Sequence, residues 1–345
     1  MSRKRKLFIY TMLLVVLVIT VLVATAIGAV AIPPSETLRV IVARLTNWEQ
    51  LVQDIPETTV AIIWNLRLPR VLLGALIGAS LALAGVGFQG LLRNPLADPF
   101  TIGVSSGAAT GAALAIFLRQ LIGFNFPHMI PIFAFIGAFM ALFFVFNLAK
   151  IGGQVPVVTL LLAGVVVSSF LSAVISLLMV LAGEDMQGIY FWLSGGLVMR
   201  SWPQIWIVAP YLVIGFLVLI AYARDLNVLL MGEETAMNLG VNVEQTKRVL
   251  LVTASLITAA AVSVSGMIGF VGLIIPHAVR IVTGPDHRIL LPTSALVGAS
   301  FLVWADVVAR TILAPQEIPV GIITAFVGAP FFIYLLRKKK QEIRL

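Results

Sequence analysis

The chain has no cysteine and only three histidines, His128, His277 and His287. The first absence excludes disulfides, thiolate chemistry and cysteine-bound metals. The second, with no two histidines at ligand spacing, argues against a structural zinc site. Charge is scarce too. Only 11% of the 345 residues are charged and 60% are hydrophobic, against roughly 25% charged in a soluble domain. A soluble surface needs charge, whereas a surface facing lipid does not. At about 20 apolar residues per crossing, most of the chain fits inside a bilayer. The apolar runs hold almost no ionisable residue, so a proton relay of the kind secondary transporters use is missing. Paired carboxylates, histidine clusters and nucleophile–base spacings are missing as well, which leaves no catalytic residue to name.

What is present is positive charge, +8 in total, placed at the ends and in short loops. Arg3, Lys4, Arg5 and Lys6 open the chain, and Arg337, Lys338, Lys339 and Lys340 lie near its end. Such placement sets membrane orientation. No basic stripe alternates with aromatics, so nucleic acid is not an expected partner. The Arg3–Lys6 patch, an apolar run and Ala24-Thr25-Ala26 resemble a signal peptide. The run Leu7–Ile32 is too long for one and reads as an uncleaved first span.

Apolar runs predict an all-α integral membrane protein with spans near 7–32, 68–90, 103–122, 129–149, 157–181, 204–223, 247–264, 267–283, 289–311 and 319–336, in one domain over 1–345. The short apolar stretch 187–200 predicts a half-helix at the membrane surface. Ten spans place both termini on the cytoplasmic side of the cell membrane. Alternate loops then put Arg93, Lys150, Arg224, Lys247, Arg248, Arg280, Arg288 and Arg344 inside with both basic ends. Outside remain Arg39, Arg44, Arg67, Arg70, Arg119, Arg200 and Arg310, with no lysine among them. Gly87-Phe88-Gln89-Gly90-Leu91 and Gly269-Phe270-Val271-Gly272-Leu273 fall in opposite orientations, which suggests either an inverted repeat or chance.

Arg67-Leu68-Pro69-Arg70 opens the second span, with Pro69 suited to a first helical turn. Its arginines read either as interfacial snorkelling or as a docking site for acidic groups of an external partner, since guanidinium pairs bidentately with carboxylate. Gly74, Gly78, Gly85, Gly87 and Gly90, then Gly103, Gly107 and Gly111, read as close helix packing. The run Arg93–Pro99 reads as a structured loop in which Asp98 has no catalytic partner. Gly232–Gly240 predicts a short helix with Glu233 and Glu234 in its first turn, Ala236 and Leu239 on one face, and Gly240 as a stop. It is either a solvated connector or a peg into a cytoplasmic partner. Asp306 and Arg310 have the i,i+4 spacing of a helical ion pair.

With Asn94-Pro95-Leu96-Ala97-Asp98-Pro99, Gly103–Ala108, Trp192–Gly196, Leu239–Val241, Ser265–His277, Glu317–Gly321 and Gly328–Pro330, these residues resemble the FecCD-type permeases of ABC importers for ferric siderophores, haem or vitamin B12. The resemblance runs over roughly 60–337. It implies ten helices per subunit and a second permease subunit, identical or related, around a central path. It also implies a cytoplasmic ATPase dimer and an extracytoplasmic binding protein, with no cofactor and no metal site. Arg67, Arg70 and Arg310 match the docking arginines, with Asp306 orienting Arg310. Gly232, Glu233, Glu234, Ala236, Leu239 and Gly240 match the ATPase-coupling helix. The path maps to 157–175, 188–199 and 319–330, including Gly195, Gly196, Pro319 and Gly321. The inner gate maps to Val157, Val158 and Thr159, where some relatives carry small hydroxyl residues. A ferric siderophore is the expected cargo.

Overall fold

A computed structural model describes residues 3–28, 30–123, 126–152 and 155–342. Every regular element among them is helical, as lipid requires of a backbone that must satisfy its own hydrogen bonds. Arg344 lies outside the described residues.

The chain begins with α1 (Arg3–Ala26), whose helix includes the basic patch and ends six residues before the expected limit of 32. Next comes α2 (Pro34–Thr46), which the sequence reading did not predict. Its 13 residues are too few and too polar for a span, but it buries Thr37, Val40 and Ala43 along one face. Arg39 donates to Leu51 O at 2.9 Å and pairs with Asp54, folding the following segment back onto α2. A single helix then runs from Glu57 to Leu91, 35 residues long. It comprises α3 (Glu57–Ala61), a π-helical turn over Ile62–Arg67, and α4 (Leu68–Leu91). The second span therefore begins eleven residues before the expected 68.

The next elements are α5 (Val104–Ile122), α6 (Met129–Ala149), α7 (Val157–Leu181), α8 (Met186–Leu193) and α9 (Trp202–Ala221). Their limits follow the expected spans closely because polar or turn-forming residues bound each apolar run. The half-helix α8 is shorter than the expected 187–200. Short α10 (Ala223–Leu229) and α11 (Glu233–Asn238) precede α12 (Val243–Ser265), α13 (Val271–Thr283), α14 (His287–Thr311) and α15 (Val320–Glu342). Between α12 and α13 the helix stops for five residues, 266–270, with Gly266 and Phe270 both at positive φ.

Among the described residues seven helices are long and apolar enough to cross a membrane, while Val271–Thr283 and Val320–Tyr334 are apolar but shorter. Burial ranks them. Of the apolar stretch of Glu57–Leu91, 83% is buried within the chain, against 11% for α1 and 17% for α7. So α4 is the interior helix, and α1 and α7 turn apolar surface outward. The backbone of α4 lies close against two neighbours. A Cβ on Gly85 would stand 1.8 Å from Gly272 O of α13, and one on Gly78 2.2 Å from Gly298 O of α14. The two glycine-phenylalanine segments meet here but differ in conformation. Gly87–Leu91 ends α4, Phe270 begins α13 in a left-handed conformation, and Gln89 Nε2 donates to Gly272 O at 3.3 Å.

Gly85→Ala is expected to force α4 from α13 and to destabilise by about 1–3 kcal/mol or more, the range for overpacking a close contact. Thermal unfolding in detergent checks this. Gly269→Ala, whose Cβ would have no neighbour within 4 Å, is the control and should leave the midpoint unchanged.

Candidate functional site

The first cluster forms where α1 ends. A helix leaves its last carbonyls without intrahelical donors. Here two arginines supply them. Arg67 Nη1 donates to Ala26 O at 2.8 Å and to Thr25 O at 3.4 Å, and Arg67 Nη2 to Val30 O. Arg310 Nη2 donates to Ala24 O at 2.6 Å. Both cations also complement the negative end of the α1 dipole. Each residue is only 8% exposed. The outward presentation expected for Arg67 and Arg310 is thus corrected: both turn inward, because the free carbonyls of α1 compete for their donors.

Arg70, one helical turn beyond Arg67, reaches two carboxylates. Its Nε and Nη2 donate to Asp306 Oδ1 at 3.1 and 2.8 Å, and Nη1 donates to Glu317 Oε2 at 2.9 Å. The expected role of Asp306 also changes. Arg310 Nε stands 3.8 Å from Asp306 Oδ2, beyond hydrogen-bond reach, so Asp306 orients Arg70 instead of Arg310. The i,i+4 spacing brought the pair near, and the better-aligned guanidinium of Arg70 took the bonds. Sequence reasoning gave Glu317 no partner. Its ion pair spans 247 positions, and no local pattern reports such a contact.

The second cluster lies at the other end of α4, about 36 Å away at 1.5 Å per residue. Glu233, first residue of α11, pairs with Lys247 Nζ at 2.6 Å and with Arg93 at 3.5 Å. Lys247 also approaches Glu244 at 3.5 Å. Ala236 is fully buried with Leu229 and Val243. Leu239 is 60% exposed, correcting the shared face expected for the two. The helix ends at Asn238, so Leu239 leaves the helical row. Glu234, Met237 and Leu239 are exposed, and Gly232 and Gly240 bound the element at φ 114° and 83°. Nearby, Asn227 of α10 donates to Asp286 Oδ1 at 2.8 Å and accepts from His287 N at 2.9 Å, which ties this segment to α14. In the loop after α4, Asp98 accepts from Phe100 N at 3.0 Å and caps the turn Pro99–Ile102. Burial pushes its carboxyl up to about 6.

The expected path residues form two groups. Gly195, Gly196, Pro319 and Gly321 come together beyond α8. Gly196 N donates to Ser265 O at 2.7 Å and Gly321 N to Gly195 O at 3.3 Å. A Cβ on Gly195 would lie 2.2 Å from Met267 O. Beside this crossing is a cavity of about 450 Å³, lined by Arg119, Trp192, Gly196, Arg200, Glu317 and Pro319 among others. Val157, Val158 and Thr159 begin α7 at the Lys247 end, where Val157 shares a small cavity with Leu91 and Lys247. Val158 is exposed there.

Residues 15–338 match the FecCD transport family. The chain belongs to that family. It is 53% identical over 286 residues to the cobalamin import system permease protein of Halobacterium salinarum, covering 83% of this chain and 76% of the relative. It is 40% identical to the hemin transport system permease protein of Yersinia pestis, over 81% of this chain and 84% of the relative. A solved structure described as an inward-facing conformation of a metal-chelate type ABC transporter matches with a TM-score of 0.83 and 33% identity, covering 96% of this chain and 99% of that one. The FecCD chain is a multi-pass ABC permease, a transport subunit without catalytic activity of its own.

Two outcomes are expected of this permease. Arg67→Lys supplies one ammonium where a guanidinium fork serves three carbonyls. Each buried acceptor left unpaired costs about 1–3 kcal/mol, so the unfolding midpoint should fall and protease access near Ala26 should rise. Burial holds the Asp98 carboxyl at about 6, above the ordinary carboxylate value of 3.8. Its contribution is present below the lower value and is lost as pH rises through the higher one. Stability should therefore decline between these limits, and Asp98→Asn should flatten that slope in melts taken across the range.

Proposed function

We propose that the permease crosses the membrane ten times as one domain, with both termini in the cytoplasm and its halves related by an inverted repeat. It pairs with a second permease subunit, seats its α11 on a cytoplasmic ATPase dimer, and receives a metal chelate from an extracytoplasmic binding protein near Arg70. The observation that carries this reading is one helix, α4, with a charged cluster at each end. Arg70 begins it on the docking side, and Arg93 follows it on the ATPase side, paired to Glu233 of α11. A displacement of α11 thereby acts on α4 and, through Lys247, on α12. Exposed Glu234, Met237 and Leu239 supply the contact with the ATPase.

Arg67 and Arg310 serve docking indirectly: they fix the end of α1 beside Arg70. The crossing of Gly195, Gly196, Pro319 and Gly321 forms the outer part of the path, and Val157, Val158 and Thr159 its inner gate. Of the chelates such permeases carry, the high identity to a cobalamin permease supports a corrinoid as cargo, ahead of the ferric siderophore expected from sequence. The hemin relative supports an iron chelate as the second reading.

Uptake of labelled cobalamin, hemin and a ferric siderophore by the complete complex in proteoliposomes tests the proposal. ATP-dependent uptake of cobalamin is expected. Uptake that needs an ion gradient and no ATP sinks it. Glu233→Lys should lower ATP-driven uptake roughly five- to tenfold, the scale of its two ion pairs, to Lys247 and Arg93, being lost, with assembly of the complex unchanged.

A further inference from the structure

Arg70 holds two carboxylates in unlike surroundings. The Asp306 side chain is 3% exposed and engages Nε and Nη2, whereas the Glu317 side chain is 34% exposed and engages Nη1 alone. Asp306 sits within α14, but Glu317 sits in the exposed turn 312–317 that precedes α15. Glu317 is therefore the exchangeable ligand. It lies two residues before Pro319, and Gly321 N donates to Gly195 O at the crossing beyond α8. Glu317 also lines the 450 Å³ cavity shared by Arg119 and Arg200. Among the described residues neither of those arginines has an ion pair, and Arg200 Nε is buried without an acceptor. Burial lowers the Arg200 pKa with no carboxylate to offset it.

We propose that Glu317 is a switching carboxylate. In the undocked permease it occupies the exposed face of Arg70. A carboxylate of the external binding protein replaces it, and Glu317 moves across the cavity to Arg200. The inference rests on the docking reading at Arg70 and adds the internal competitor. One carboxylate replaces another on a guanidinium that is 13% exposed, so its charge stays paired throughout. The exchange frees the turn leading into α15 and gives Arg200 the acceptor it lacks. Docking is thereby linked to the helix that borders the path.

The test uses the complete complex in nanodiscs, titrated with the binding protein of the same transport system. Glu317→Gln should tighten docking by about tenfold, because the competitor is weakened while Arg70 stays. Arg70→Gln should weaken docking in both backgrounds. Arg200→Gln should weaken it in the native chain and have no further effect beside Glu317→Gln, since no carboxylate then needs a destination. If Arg70→Gln weakens docking but Glu317→Gln leaves it unchanged or weaker, Glu317 is a structural tie and the switch is wrong while docking stands. If Arg70→Gln has no effect, docking at Arg70 fails and the switch with it. The chain has no cysteine, so Gln316→Cys offers a single thiol in this subunit for a spin label. Should Glu317→Gln not assemble, added binding protein must raise the mobility of that label in the otherwise native chain. Unchanged mobility overturns the switch.

Discussion

The backbone of α4 lies against two other helix backbones, at Gly85 on Gly272 and at Gly78 on Gly298. Lipid gives no hydrophobic reason for helices to associate, so close packing must do it, and small residues permit the approach. Around this contact the other helices are ordered. α12 and α14 are largely buried beside α4, while α1 and α7 keep apolar surface facing outward.

A charged cluster lies at each end of α4. At one end the carbonyls of α1 need donors and two guanidiniums provide them, which puts Arg67 and Arg310 out of solvent. Arg70 is left to the carboxylates of α14 and of the turn before α15. At the other end Glu233 is shared between Arg93 and Lys247, so α11 is tied to α4 and α12 by ion pairs, with Ala236 as its buried anchor. The two clusters differ in burial. In the first, Arg70 and Asp306 are nearly closed to water, while in the second Arg93 and Glu233 are partly exposed.

Much of the fold was legible because hydrophobic length is a local signal. The limits of α6 and α7 coincide with the apolar runs 129–149 and 157–181. α2 was missed because its pattern is amphipathic and short, and α3 because the run before Leu68 contains Trp64, Asn65 and Arg67. Within the candidate site, the short helix at 233–238 was readable from its flanking glycines and acidic first turn. The partners of Glu233 and Glu317 were not, since they lie on other helices many positions away.

The sequence by itself determined that this chain is membrane-embedded and where its long apolar helices run, and its resemblance to a permease family marked it as a transport subunit and grouped Arg67, Arg70 and Arg310. The first of these follows from composition and hydrophobic length, which are additive along the chain, and the second from the motifs that carry the resemblance. Tertiary structure alone decided what each arginine does. A guanidinium bonds whichever acceptor is nearest and least hydrated, and that depends on where α1 stops and how α14 lies on α4. Hence Arg67 and Arg310 became caps, Arg70 became the shared ligand of Asp306 and Glu317, and one row of similar charges separated into two roles.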